Sequence, residues 1–246
     1  MIRLALLDDH PAVLVGLQRV VEQEPDIAVV GAMPTAAELA RQLGDRRPDV
    51  LVVDHDVARS DGLAQCRRIK DRPHPPGVII YSAFDKRTLA LPARVAHADA
   101  VVDKAEPVSA LLAAIRGVAR GETTLPSVPR GTYDAAAARL DGEDLPIFAM
   151  LLGGETLPAI ADALRAETDE IAWRAQRIIG RSAPAPPSSR TNGSSSPPAV
   201  AYRTCRCADP RVGPPSAPVA LPIAVLGSIE LMARAGATEE STAMAR

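Results

Sequence analysis

Short apolar runs alternate with amphipathic stretches along the first half of this chain. The apolar runs predict five buried strands, at residues 2–7, 27–32, 50–53, 78–81 and 100–102. Apolar residues at helical spacing predict a helix after each strand, at residues 11–22, 35–43, 62–70, 86–96 and 107–120. Five strand-then-helix units predict an α/β fold, a flavodoxin-like, doubly wound, five-stranded parallel sheet with helices on both faces.

The predicted helix boundaries have local physical reasons. Pro11 suits a first helical turn because its missing N–H has no partner there. Thr35, three residues before Glu38, fits a capping box, and Asp61 is placed to cap the third helix. Pro92 lies inside the fourth predicted helix, so we expect that helix to be kinked or shortened.

The second half of the chain changes character twice. Thr, Pro and Gly residues predict a linker at residues 122–139, with room for a short helix at 134–139. Helical spacing returns at residues 143–152, 157–164 and 168–179, and the tight turn between the last two predicts a helix-turn-helix domain at 140–181. Residues 182–246 are rich in Pro, Ser and Ala without any period, which predicts a disordered tail.

Polar side chains follow four of the five predicted strands. They are Asp8 and Asp9, Asp54, Ser82, and Lys104. Ligands of open parallel sheets bind at the carboxyl ends of the strands. Adjacent carboxylates stay ionised beside a cation, and Mg²⁺ prefers such oxygen ligands together with phosphate oxygens. A carboxylate screened by a metal can attack a phosphoryl group, with a lysine and a hydroxyl stabilising the developing charge. The pattern therefore predicts an acidic pocket with a cation and one reactive carboxylate.

Composition limits the partners and the cellular compartment that we expect for this protein. The net charge is −2 and the pI is near 6.1, so any nucleic-acid contact needs a local basic patch. Three cysteines, Cys66, Cys205 and Cys207, favour a reducing compartment, and the surroundings of Cys66 predict a buried structural thiol. With no signal-peptide pattern and no bilayer-length apolar run, we expect a cytoplasmic protein that does not enter a membrane.

Residues 1–121 resemble the receiver domain of two-component response regulators. The matching segments are LLDDHPAVLVGL, PDVLVVDHDVARSDGL, VIIYSAFD and VVDKAEPVSALLAAIRGVARGE. The resemblance implies that Asp54 accepts a phosphoryl group from a sensor histidine kinase. It also implies that Asp8 and Asp9 hold Mg²⁺, helped by Asp54 and the backbone carbonyl of Asp56.

The same resemblance assigns the other strand-end residues. Ser82 would bond a phosphate oxygen and reorient on activation, and Lys104 would pair with the phosphoryl group. Two positions depart from the family pattern: Val57-Ala58 stands where Met-Pro is usual, and Val101 stands where an aromatic switch residue is usual. Without that aromatic residue, coupling to the rest of the chain would run through Ser82 and helix movement.

Residues 140–181 resemble the DNA-binding domain of the LuxR and NarL class of regulators. The matching segments are LDGEDLPIFAMLLGG and TLPAIADALRAETDEIAWRAQRIIGR. The family fold would place residues 168–181 in the major groove of promoter DNA, with phosphorylation favouring a homodimer. The candidate DNA-contacting residues are Thr168, Glu170, Arg174, Arg177 and Arg181. The spacing sets the three arginines on one face, which also suits a solvated face of a packing helix. On this reading the protein is not an enzyme.

Three alternatives stay open. The receiver could act by protein contact alone, with an impaired DNA-binding module. Asp54 and Asp56 also fit the nucleophile and general acid of haloacid-dehalogenase-like phosphatases, although that motif normally follows the first strand of its domain. Finally, the abrupt Arg/Pro/Ser/Ala bias after residue 181 suggests a frame-shifted or read-through extension, a hypothesis that resequencing of the gene tests.

Overall fold

The computed structural model describes residues 1–57 and 60–183, without the side chain of Ser60. The predictions about residues 184–246, including the disordered tail and Cys205 and Cys207, lie outside the described residues. The predicted end of the helix-turn-helix domain at residue 181 lies within them.

Five parallel strands form the main sheet, as the apolar runs predict. The strands are β1 (Ile2–Leu7), β2 (Ile27–Met33), β3 (Val50–Asp54), β6 (Gly77–Ser82) and β7 (Ala100–Asp103). Their order across the sheet is β2-β1-β3-β6-β7, with every neighbouring pair parallel. Two-residue strands β4 (Asp56–Val57) and β5 (Ser60–Asp61) pair antiparallel beside β3. The doubly wound, flavodoxin-like α/β prediction is confirmed.

Helices cover both faces of this sheet. They are α1 (Pro11–Val21), α2 (Ala36–Arg46), α3 (Gly62–Lys70), α4 (Ala90–Val95) and α5 (Val108–Ala119). Successive strand side chains point to opposite faces, so each strand supplies two separate cores. Leu4 and Leu6 of β1 pack in the cluster that contains α1 and α5. Ala5 and Leu7 pack in the cluster that contains α2, α3 and α4.

The predicted helix ends are mostly close to the observed ones. Pro11 occupies the first turn of α1. The Thr35 hydroxyl accepts a hydrogen bond from the Glu38 N–H, and Asp61 accepts one from the Leu63 N–H. The helix predicted at residues 86–96 is shortened, as Pro92 led us to expect, and α4 begins only at Ala90. This start places Pro92 in the first turn of α4, where an N–H has no helical partner.

The remaining described residues form a helical region. It contains α6 (Arg130–Ala137), α7 (Asp144–Leu152), α8 (Leu157–Leu164) and α9 (Thr168–Ser182). The predicted linker at residues 122–139 is therefore partly helical, and its helix begins at Arg130, four residues before the predicted one, directly after Pro129. α6 packs against α9. One apolar cluster runs from the α2–α4 face of the sheet into this region, where it includes Ile147, Leu151 and Ile178.

Polar contacts reinforce this packing between the α/β domain and the helical region. The Asp71 carboxylate accepts a hydrogen bond from the N–H of Leu157, the first residue of α8, at 3.0 Å. Arg67, only 3% exposed, donates to that carboxylate at 2.6 Å and to the Glu155 carbonyl at 3.0 Å. His97 Nε2 lies 2.7 Å from the carbonyl oxygen of Leu151. We call Arg67, Asp71 and His97 the interdomain contact.

Cys66 lies in the same core. Its side chain is fully buried, as the sequence predicts, and Sγ donates to the Ala96 carbonyl at 3.4 Å. Burial raises the pKa of the Cys66 thiol to about 12. A thiol this hard to ionise is a poor nucleophile and metal ligand, so Cys66 has a packing role.

Candidate functional site

The predicted strand-end residues meet at one edge of the sheet. The sheet order makes β1, β3, β6 and β7 consecutive neighbours. Asp8 and Asp9 follow β1, Asp54 ends β3, Ser82 ends β6, and Lys104 follows β7. Because these parallel strands end at the same edge, their terminal side chains converge there.

Two buried carboxylates and one ammonium form the centre of the site. Asp8 and Asp54 are 3% and 4% exposed. Lys104 Nζ lies 2.9 Å from Asp8 Oδ2 and 3.0 Å from Asp54 Oδ2. One lysine therefore pairs with two carboxylates, which leaves the cluster with excess negative charge when all three groups are ionised.

The pKa shifts of Asp54 and Lys104 reflect this imbalance. Burial raises the pKa of Asp54, and the charge of Asp8 raises it further, although the hydrogen bond from Lys104 acts in the opposite direction. Burial alone lowers the pKa of Lys104, but hydrogen bonds to Asp8 and Asp54 outweigh burial, so its pKa is raised overall. Lys104 therefore stays charged at neutral pH, and a second cation relieves the repulsion between the carboxylates.

The backbone after β3 supports Asp54. The Asp56 N–H donates to Asp54 Oδ1 at 3.3 Å, while the side chain of Asp56 is exposed. Gly62 begins α3 directly against this strand end: a Cβ at Gly62 would lie 2.1 Å from the backbone oxygen of Asp54. The close approach of α3 to Asp54 therefore requires glycine at this position.

Ser82 and Val101 lie further inside. The Ser82 side chain is 1% exposed, and its oxygen accepts a hydrogen bond from the Phe84 N–H at 3.0 Å. This bond uses an oxygen lone pair and leaves the hydroxyl proton available to a ligand. Val101 is buried in the apolar cluster that also holds α4, as expected of a plain strand residue.

Two residues that the sequence reasoning did not assign also line the site. His10 Nδ1 lies 3.1 Å from Asp8 Oδ1, 3.0 Å from Asp9 Oδ1 and 3.9 Å from Asp54 Oδ2. The ring of Tyr81 lies under Lys104, with Nζ 5.4 Å from the ring centroid. The position of His10 directly after Asp8-Asp9 was a usable signal. For Tyr81, the sequence offered only its position next to Ser82, because Lys104, which it contacts in the structure, follows a different strand.

The donor set suits a divalent cation. Asp8, Asp9, His10 and Asp54 each offer one ligand atom, and these atoms all lie within 4.8 Å of one another. Carboxylate oxygens dominate the set, which fits the oxygen preference of Mg²⁺.

The candidate DNA-contacting arginines all lie on one face of α9, but this face is not free. Arg174 Nη2 lies 2.6 Å from Glu143, and Arg177 Nη2 lies 2.5 Å from the fully buried Asp144. Arg181 Nη1 lies 3.0 Å from Asp141. These ion pairs of the three arginines therefore hold α9 against the start of α7.

The other two candidates, Thr168 and Glu170, lie at the exposed start of α9. Glu170 pairs with Arg174 at 3.2 Å. The large exposed side chain of α9 is Trp173, 58% exposed, with the Arg177 guanidinium 4.8 Å from its ring centroid. Sequence spacing predicts the shared face of the arginines but not their acidic partners.

Comparison with known proteins agrees with this geometry. The family model described as "Response regulator receiver domain" matches residues 4–116. The transcriptional regulatory protein LiaR of Bacillus subtilis (strain 168) is 28% identical over 175 residues, covering 67% of this chain and 82% of LiaR. The methanol utilization control regulatory protein MoxX of Paracoccus denitrificans is 28% identical over 174 residues, covering 65% of this chain and 76% of MoxX.

Receiver domains also occur in relatives with other output regions. Protein-glutamate methylesterase/protein-glutamine glutaminase 2 of Methanospirillum hungatei JF-1 is 38% identical over 85 residues, and the chain spans only 24% of that protein. A structure of RcsB from Salmonella enterica serovar Typhimurium, bound to a promoter, has a TM-score of 0.51 at 21% identity. That match covers 76% of this chain and 94% of RcsB, and it shows the fold.

Residues 4–116 belong to the family of response regulator receiver domains. Beyond that domain the chain resembles regulators of the LuxR/NarL class. No helix among the described residues has the length and apolar character needed to span a bilayer.

Gly62→Ala tests the contact between α3 and Asp54. We expect a loss of about 1–3 kcal/mol of unfolding free energy, because the new methyl group overpacks against the strand end. The matched control is Gly16→Ala on α1, where nothing lies within 4 Å of the added Cβ. The control should gain roughly 0.5–1 kcal/mol from helix propensity. Urea unfolding measures both, and equal effects would contradict the close approach.

Asp54→Asn tests the cost of holding an ionised carboxylate in this buried place, to which repulsion from Asp8 adds. The folded-state pKa of Asp54 is raised above the ordinary value of 3.8. The protonated carboxyl group therefore contributes its full stability below pH 3.8, and this stability is lost as the pH rises through the raised pKa. At pH 7 in chelator, the variant should therefore melt several degrees above wild type, and the difference should shrink in acid. Thermal unfolding at several pH values measures it. The control is Asp45→Asn, at an exposed position on α2. A melting temperature of Asp54→Asn below that of wild type at pH 7 would contradict this cost.

Proposed function

We propose that Asp54 accepts a phosphoryl group from a sensor histidine kinase and that this controls the helical region. The observation that carries the proposal is the buried Asp54 carboxylate at the end of a central strand, paired with Lys104 and facing Asp8. The receiver-family match over residues 4–116 supports the same role.

The site residues then divide the work of phosphoryl transfer. Asp8, Asp9, Asp54 and the carbonyl of Asp56 would hold Mg²⁺, which supplies positive charge that screens the anionic phosphoryl group. An Asp54 oxygen forms the new bond to phosphorus while the bond from phosphorus to the kinase histidine breaks. Lys104 already lies beside that carboxylate and pairs with a phosphoryl oxygen.

Ser82 links the phosphoryl group to the rest of the molecule. Its hydroxyl proton donates to a phosphoryl oxygen while its oxygen still accepts from the Phe84 N–H. Movement of Ser82 therefore moves the segment between β6 and α4. Since Val101 has no ring to rotate, α4 itself is the element that carries the change.

The helical region packs against α4, so a movement of α4 would act on it directly. α9 packs against both α3 and α4, and the interdomain contact adds hydrogen bonds to the ends of α7 and α8. We propose that α9 separates from α3 and α4 when it enters a DNA groove. Phosphorylation would shift the population towards the separated form and favour a homodimer.

Regulation of transcription is the output that the relatives support. LiaR is named a transcriptional regulatory protein, and the 29% identical DevR/DosR of Mycobacterium tuberculosis is named a DNA-binding transcriptional activator. We propose promoter DNA as the partner of α9, with Thr168, Glu170, Arg174, Arg177 and Arg181 as the candidate contacts. The chain would then have no enzymatic turnover of its own and would act in the cytoplasm.

A contact-only receiver is the second candidate, and the arginine pairing favours it. Residues 140–181 contain four arginines and no lysine, against eight acidic residues. Arg174, Arg177 and Arg181 each pair with an acidic side chain. Affinity for DNA comes largely from unpaired positive charge near phosphates. If these ion pairs persist, the helical region binds a protein instead.

Phosphoryl labelling tests the acceptor. With a small-molecule phosphodonor and Mg²⁺, we expect one labelled group per chain in wild type and in the Asp45→Asn control, and none in Asp54→Asn. Intact mass spectrometry counts the label. Persistent labelling of the variant refutes Asp54 as acceptor. Steady turnover of a phosphomonoester supports the phosphatase alternative, which the exposed side chain of Asp56 disfavours.

Asp71→Ala tests the interdomain contact. The Leu157 N–H loses its acceptor and Arg67 its ion pair, a loss worth about 1–3 kcal/mol for a buried group, or roughly a 5- to 150-fold increase in opening. Hydrogen exchange of residues 151–157 should speed up accordingly, and low-salt DNA binding should increase without phosphodonor. Asp162→Ala, exposed on α8, is the control. Faster exchange without any DNA binding supports the contact-only receiver.

A further inference from the structure

His10 directs its imidazole into the acidic cluster, where Nδ1 lies within hydrogen-bond distance of Asp8. It is the N-cap residue of α1, yet its side chain makes no capping hydrogen bond. Its backbone N–H donates to Asp8 Oδ1 at 2.8 Å, which holds the residue against the site. The ring is 64% exposed on its outer side, while Nδ1 faces the carboxylates of Asp8 and Asp9 at 3.1 and 3.0 Å.

The charges around the site favour a neutral fourth ligand. Three carboxylates, Asp8, Asp9 and Asp54, already share the cluster with the Lys104 ammonium. A neutral imidazole adds a lone pair to this set without adding a further negative charge. The ligand atoms of the four residues lie close enough to surround a single ion.

We infer that His10 is a nitrogen ligand of the divalent cation and that it shifts the selectivity of the site towards first-row transition metals. The inference rests on the proposed function, since it concerns the same cation site. Mg²⁺ strongly prefers oxygen ligands, whereas imidazole nitrogen suits Ni²⁺, Zn²⁺ and Fe²⁺. For such a mixed site, affinity rises from Mn²⁺ through Co²⁺ to Ni²⁺.

Mn²⁺ is the spectroscopic probe for the nitrogen bond. Pulsed electron paramagnetic resonance of the full chain with Mn²⁺ should show the coupling of a directly bound ¹⁴N nucleus. That coupling should vanish in His10→Ala and remain in His74→Ala, a matched control because His74 is an exposed histidine at a distant turn. His10→Gln, which keeps a polar side chain, should also lose it.

Affinities give a second, independent readout. By calorimetry, His10→Ala should weaken Ni²⁺ and Co²⁺ binding by about tenfold or more, the scale at which one coordinating or supporting group acts. Mg²⁺ binding should change by less than about twofold, because oxygen ligands carry it. Melting temperatures without metal establish that each variant folds.

The outcomes separate this inference from the proposed function. Cation binding without ¹⁴N coupling, and with equal affinities in wild type and His10→Ala, overturns the inference and leaves the proposed function standing. His10 then only pairs with carboxylates. If wild type binds neither Mg²⁺ nor Mn²⁺ while Asp54 is still labelled, the cation site is wrong both in this inference and in the proposed function. Loss of labelling as well as cation binding contradicts the proposed function.

Discussion

The burial of two neighbouring carboxylates is the constraint on which the rest of this protein depends. Asp8 and Asp54 are held together at the end of a parallel sheet with one ammonium, that of Lys104, between them. The sheet core makes this geometry rigid, since β1 and β3 pair along their length and their apolar side chains fill both faces. The excess negative charge favours a cation at this edge of the sheet, and such a cation screens an incoming anionic phosphoryl group.

The same rigidity explains how a local change at the site can reach the helical region. Ser82 ends β6, and the segment after it leads into the short helix α4. His97, two residues after the end of α4, adopts a left-handed conformation with φ 61° and also contacts Leu151 of the helical region. A small movement of α4 therefore changes its contacts with the sheet and with the helical region. Such packed interfaces respond in discrete steps.

The helical region resembles the DNA-binding domain of LuxR/NarL regulators in sequence, but the arginines of its last helix are already paired. Arg174, Arg177 and Arg181 of α9 form ion pairs with Glu143, Asp144 and Asp141. These ion pairs bind α9 to α7, and Asp144 is fully buried, so that pair costs more to break than a surface pair. In the proposed function, an external partner of α9 competes with these acids for the arginines.

Sequence alone determined the sheet, its five helices and the meeting of Asp8, Asp54, Ser82 and Lys104, because apolar period and strand ends are local signals. The span predicted for the fourth helix, residues 86–96, was too long, but Pro92 correctly indicated a shortened helix, because proline is tolerated in the first turn and not in the helix interior. Only the tertiary structure decided the direction of the His10 ring, the acidic partners of the α9 arginines and the interdomain contact. Asp71 and Leu157 are 86 residues apart, and no local pattern encodes a contact at that separation.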